Sequence, residues 1–247
     1  MLKKLSVKVK IIIFFILCVI VFAIAYKEAV GNRSNNTKVT AEESEKAKAK
    51  EITDAQIKKA GEDQKKAAEQ AEKDKQKKLE DEYQEAYKKF SSKNYWDSIK
   101  VADEIIKEDE KFYKAYNIKG IALCYAGAAN YAEGMKSIDK ALELKPDYGY
   151  ARFNRALALE LYGKYDEALA AYDKALEVEN YVWSYYGKAS IYGRKGDVKN
   201  TVENLKKAIE VAAAADAKAA QDVKDAAKGE EDFNNVRGSK EFNDLLK

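Results

Sequence analysis

Histidine is absent from this 247-residue chain, proline occurs once and cysteine twice. Without histidine, the commonest general base at neutral pH and the commonest transition-metal ligand are both missing. Cys18 lies inside an apolar run and Cys124 inside an expected soluble helix, so the two can neither form a disulfide nor share a zinc ion. Glycine-rich phosphate loops, CxxC pairs and nucleophile-base motifs are also lacking. The adjacent carboxylates Asp166 with Glu167 and Glu230 with Glu231 read as solvated surface, because acid-base work would require burial. A non-enzyme without cofactor or metal is expected.

What is present is charge and helix-forming residues. Charged side chains make up 35% of the chain, yet 45 Lys and Arg against 42 Asp and Glu leave a net charge of only +3. Nucleic-acid binding needs a basic face to displace counterions, and no such footprint is visible. With a single proline, 12 glycines and abundant Ala, Lys, Glu and Leu, the residues that penalise helices are nearly absent, so an all-α protein is expected.

The chain changes character three times. Lysines at 3, 4, 8 and 10 precede an uninterrupted apolar run from Ile11 to Ala25. At ~1.5 Å per residue the run is slightly short of a ~30 Å hydrocarbon core, which Lys10 and Tyr26 can complete at the interfaces. Residues 1–30 therefore read as a single-pass membrane anchor, and the lysines place its N-terminus in the cytoplasm and the remainder outside. Ala23-Ile24-Ala25 has the form of a cleavage site, so a secreted protein released after Ala25 is the alternative. Residues 31–78 form a polar hinge (GNRSNNT) and then a Lys, Glu and Ala stretch. Pairs such as Glu69 with Lys73 favour an exposed helical stalk with no sustained heptad seam.

From residue 79 a period near 34 residues appears, giving segments 79–112, 113–148, 149–181 and 182–215. In the third, Ala168, Leu169, Tyr172, Ala175 and Leu176 make one apolar helix face. The small residues Ala156, Ala168 and Ala175 recur as Gly120, Gly134 and Ala141 and as Ala189, Thr201 and Ala208, where antiparallel helices would approach closely. Gly127, Gly163 and Gly196 fall where a first helix ends. Each segment is expected to be a helix-turn-helix unit, with residues 216–247 capping the last one through Phe233, Val236, Phe242, Leu245 and Leu246.

On Ala156, Leu159, Gly163, Tyr165, Ala168, Tyr172, Ala175 and Leu176 the chain closely resembles the tetratricopeptide-repeat (TPR) family. That resemblance implies a right-handed superhelical solenoid whose concave side is lined by the first helix of each pair. It would place Tyr83, Tyr87, Asn117, Ile121, Tyr150, Phe153, Asn154, Leu157, Trp183, Tyr186 and Arg194 on a groove for a protein or peptide ligand. The Lys/Arg and Asn clamp with which some family members hold a C-terminal carboxylate is not reproduced. Its places carry Tyr83, Tyr87, Ile118 and Tyr150, with only Asn154 in keeping. The expected role is a scaffold at the cell envelope, the alternative a structural envelope protein that self-assembles into homo-oligomers.

Overall fold

The computed structural model describes residues 17–21 and 38–247, which divide into two units, Met1–Gln70 and Ala71–Lys247. In the first, residues 17–21 are helical, with Leu17, Val19, Ile20 and Val21 exposed. Most of the expected anchor, its cleavage motif and the polar hinge lie outside the described residues. Among those described, no helix is long and apolar enough to cross a membrane.

Helix α1 (Lys38–Ser91) continues from the first unit into the second. Over residues 45–70 it exposes nearly every side chain, Ile52 and Ile57 included. Its support there is local: strong helix formers and pairs such as Lys65 with Glu69, 3.9 Å apart. Burial begins with Leu79, Tyr83 and Ala86, which recur at helical spacing on one face. Ahead of residue 79, Lys75 and Lys78 already pair with Asp109 and Glu108.

Seven further helices of regular length follow: α2 (Tyr95–Glu108), α3 (Tyr113–Ala126), α4 (Tyr131–Leu144), α5 (Gly149–Leu161), α6 (Tyr165–Leu176), α7 (Val182–Arg194) and α8 (Val198–Ala215). Helices pair as α3 with α4, α5 with α6 and α7 with α8, while Ser98 Oγ on α2 donates to the Ala86 carbonyl of α1 at 2.8 Å. First helices also meet one another, α3 against α5 and α5 against α7. That second set of contacts positions the site.

Between paired helices the chain must reverse within a few residues, which requires backbone conformations that a β-carbon resists. Gly163 and Gly196 supply them with φ of 71° and 72°. In the first pair Lys93 takes this place at φ 62°. The longer turn after Gly127 closes as a 3₁₀ turn, Ala128–Asn130.

Three ion pairs at equivalent places join the second helix of one pair to the first helix of the next. Asp103 pairs with Lys119 at 2.9 Å, Asp139 with Arg155 at 2.9 Å and Asp173 with Lys188 at 2.5 Å. Each is partly exposed and contributes at most about 1 kcal/mol, so they serve register more than stability.

At the far end, α9 (Ala217–Gly229) and the short α10 (Lys240–Leu245) pack on α8, and a 3₁₀ turn, Glu231–Phe233, packs on α7. Val223, Ala227, Phe233, Val236, Phe242 and Leu246 are buried with Leu205 and Ala208 of α8. Ser239 caps α10, its Oγ accepting from the Phe242 amide at 3.3 Å.

Candidate functional site

Because first helices pack side by side, each has an inward surface against its neighbours as well as one against its own partner. Asn117, Ile121 and Asn154, expected on the groove, occupy that inward surface and are buried. The amide of Asn154 donates to Asn117 Oδ1 at 3.1 Å, tying α3 to α5. These three residues hold the helices together and cannot meet a ligand, which corrects the expectation from the pattern. Tyr83 is also nearly buried, edge-on to Phe112, while Tyr87, one helical turn on, is 41% exposed.

The remaining expected residues fall into two adjoining parts. The first is an aromatic row. Tyr113 meets Tyr148 at 4.8 Å, Tyr148 meets Tyr150 at 6.3 Å, Tyr150 stacks on Phe153 at 6.0 Å, and Phe153 meets Tyr181 at 5.0 Å. Tyr148 and Tyr181 were not foreseen. They stand at the N-cap positions of α5 and α7, as Phe112 does for α3, and none of these helices has a side-chain cap. A Ser, Thr, Asp or Asn there would contribute about 1 kcal/mol. Aromatics in three successive N-caps put rings where capping chemistry would ordinarily stand, and that recurrence is readable in the sequence. Burial raises the hydroxyls of Tyr148 and Tyr150 far above the usual tyrosine range and Tyr181 to about 12, so all three remain neutral donors.

The second part is a cavity of about 440 Å³ between α5, α7 and the turn after α9. Phe153, Leu157, Trp183, Tyr186 and Arg194, all expected on the groove, line it. Trp183 stands at its rim, 40% exposed and edge-on to Tyr186 at 5.3 Å. Its remaining walls include Glu160 and the acidic run Glu230, Glu231 and Asp232. Glu230 and Glu231 are exposed, as expected, and they also border the cavity because the turn folds back onto α7.

Glu160 is 8% exposed, and burial raises its carboxyl above the ordinary carboxylate value even though hydrogen bonds from Tyr172 and Ser190 oppose the shift. The Tyr172 hydroxyl donates to Glu160 Oε2 at 2.7 Å. Ser190 Oγ lies 2.7 Å from Glu160 Oε1 and 2.5 Å from Asp232 Oδ2. A serine hydroxyl has one proton and can donate to only one of two carboxylates. The two carboxylates therefore compete for the Ser190 proton. Arg194 pairs with Asp232 at 2.8 Å. Tyr186, 6% exposed, has a buried hydroxyl raised first by burial and then by the charge and hydrogen-bonding approach of Glu230, a contact that falls short of well-formed hydrogen-bond geometry. Among the described residues no cluster of three or more His, Cys, Asp or Glu is placed to hold a metal ion. Both cysteines are free, and burial raises Cys124 to about 11, leaving it an unreactive thiol.

Stacked antiparallel helix pairs whose first helices share a face define a helical-repeat protein. A tetratricopeptide-repeat family model matches residues 150–181 and 184–214. The uncharacterized protein MJ0572 of Methanocaldococcus jannaschii is 39% identical over 80 residues, 32% of this chain and 86% of the archaeal protein. The chain belongs to the TPR family. Hsp70-Hsp90 organizing protein 2 of Arabidopsis thaliana is 34% identical over 91 residues, 36% of this chain but only 15% of the plant protein. Among solved structures, TTC0263, a thermophilic TPR protein of Thermus thermophilus, superposes with a TM-score of 0.53 at 18% identity over 61% of this chain and 81% of its own. That likeness concerns the fold alone.

Proposed function

We propose that this chain is a non-catalytic scaffold of the cell envelope that takes an extended segment of another protein along the face formed by α1, α3, α5 and α7. The observation that carries this reading is the continuity of accessible aromatic surface. The row through Tyr150, Phe153 and Tyr181 leads directly into the cavity rimmed by Trp183, since Phe153 belongs to both. Rigid rings beside a concavity bind protein segments with little loss of side-chain entropy. A relative named for organising two chaperones supports an interaction role. Attachment to the membrane through residues 1–30, with the repeats outside the cytoplasm, rests on the apolar run from Ile11 to Ala25 and the lysines before it.

The test is recovery of partner proteins from envelope extracts on the full chain, compared with a Tyr87→Ala, Trp183→Ala double variant. Both side chains are well exposed, so their loss leaves the core intact. Recovery should fall at least tenfold, and undiminished recovery would sink the assignment.

A further inference from the structure

We propose that the cavity between α5, α7 and the turn after α9 seats one lysine or arginine side chain of the bound segment, an inference that rests on the protein-binding reading above and gives it a chemistry. Charge is the first argument. Of the carboxyl groups that line the cavity, Asp232 pairs with the single guanidinium, Arg194, and Glu160 is turned to Tyr172 and Ser190, which leaves Glu230 and Glu231 in excess. The whole chain, by contrast, carries a net charge of +3. The lining is thus acidic in a chain that is slightly basic as a whole.

The second argument is an incompletely answered hydrogen-bonding group. The Tyr186 hydroxyl is buried in the cavity lining, and its approach to Glu230 does not reach well-formed hydrogen-bond geometry. A buried polar group without a well-formed partner is costly, and a donor entering the cavity would recover part of that cost. An ammonium or guanidinium supplies donors only, matching the phenol oxygen and the carboxylates at once. A carboxylate ligand would meet like charge, and an aliphatic one would leave the Tyr186 hydroxyl without a well-formed partner.

The third argument is the aromatic wall. Phe153, Tyr172, Trp183 and Tyr186 present rings to the cavity, and ring faces attract cations, most strongly where water is scarce. Leu157 and the half-exposed Leu161 lie at the same wall, apolar surface along which the aliphatic stem of a basic side chain can lie while its head reaches the acids. A volume of about 440 Å³ is within the size range of ligand clefts and accommodates a long side chain with part of its backbone.

The experiment uses the full chain carrying Trp96→Phe, which leaves Trp183 as the sole indole. The indole N–H resonance is followed during titration with the N-acetyl methylamides of lysine, arginine, norleucine and glutamate. Lysine or arginine should give a saturable shift with affinity at least roughly tenfold above norleucine, and glutamate should give none. A Glu230→Gln, Glu231→Gln variant, altering two residues on the exposed side of the turn, should lose roughly tenfold in affinity for the basic compounds while melting as the parent does. The proposal is overturned if neither basic compound moves the resonance up to tens of millimolar, or if norleucine binds equally well. If Tyr87→Ala, Trp183→Ala abolishes partner recovery while the basic compounds leave the indole unmoved, the binding face stands and the cation pocket falls. If the basic compounds bind while recovery is undiminished, the pocket's preference stands and the face as a partner site falls.

Discussion

Gly120 and Gly134 meet where α3 crosses α4, so closely that a β-carbon on Gly120 would lie 2.6 Å from the Gly134 carbonyl oxygen and one on Gly134 would lie 2.7 Å from that of Gly120. Both obstacles are backbone and cannot swing aside. Gly120→Ala should therefore destabilise by about 1–3 kcal/mol through overpacking, in spite of the ~1 kcal/mol that alanine gains in a helix. Gly163→Ala is the control: nothing lies within 4 Å of its β-carbon, and its cost is the ~1–2 kcal/mol of a left-handed backbone. Urea denaturation measures both, and a Gly120→Ala protein as stable as wild type would refute the close crossing.

The buried network of Glu160 predicts a pH dependence with a definite sign. Its folded carboxyl titrates above the ordinary value, so between the two values the folded chain holds a proton that the unfolded chain has released. Its contribution to stability is present at low pH and is lost as pH rises through the folded value. Burial first, then Tyr172, Ser190, Arg194 and Asp232, set where that happens. Glu160→Gln, which mimics the protonated acid, should flatten thermal stability against pH above about pH 4.3. Parallel profiles for the two proteins would rule out a protonated Glu160.

Alkaline pH should act through the tyrosines. Burial raises Tyr125, Tyr148, Tyr150, Tyr172, Tyr181 and Tyr186 in the folded chain, whereas an unfolded tyrosine ionises near pH 10. Above that point the folded state holds more protons, so stability falls as pH rises. An absorbance titration should show one exposed class ionising near pH 10 and a second class ionising only together with loss of helical circular dichroism. A single class titrating with the helices intact would contradict the burial of these hydroxyls.

Membrane attachment is checked by the mass of the mature N-terminus. A retained Met1 or Leu2 in the membrane fraction is expected, together with protease sensitivity of the repeats from the outer side. Mature chains starting at Tyr26 would replace the anchored scaffold with a secreted one.

The repeat could be read because it is written in residue types that recur one period apart, such as Gly120, Ala156 and Ala189 at the close approach of paired helices. The buried asparagines could not be assigned in the same way. A first helix has two inward surfaces, and the pattern alone does not separate the one holding Asn117 and Asn154 from the ligand face. The ladder of Asp103, Asp139 and Asp173 with Lys119, Arg155 and Lys188 was available as a recurrence, but charged residues on helices have so many partners by spacing that only geometry selects these. The acidic wall lay furthest beyond reach, because Ser190 and Asp232 are 42 residues apart and the segment around Asp232 carries no copy of the repeat.

That wall also sets an order of events during synthesis. All four helix pairs leave the ribosome before Glu230, Glu231 and Asp232 do, and helical units stack as they emerge. A nascent chain can thus hold its aromatic row while its cavity still lacks one side. Affinity for a basic residue would arrive last, at the completion of the turn, so partners would be admitted only by chains translated past that point.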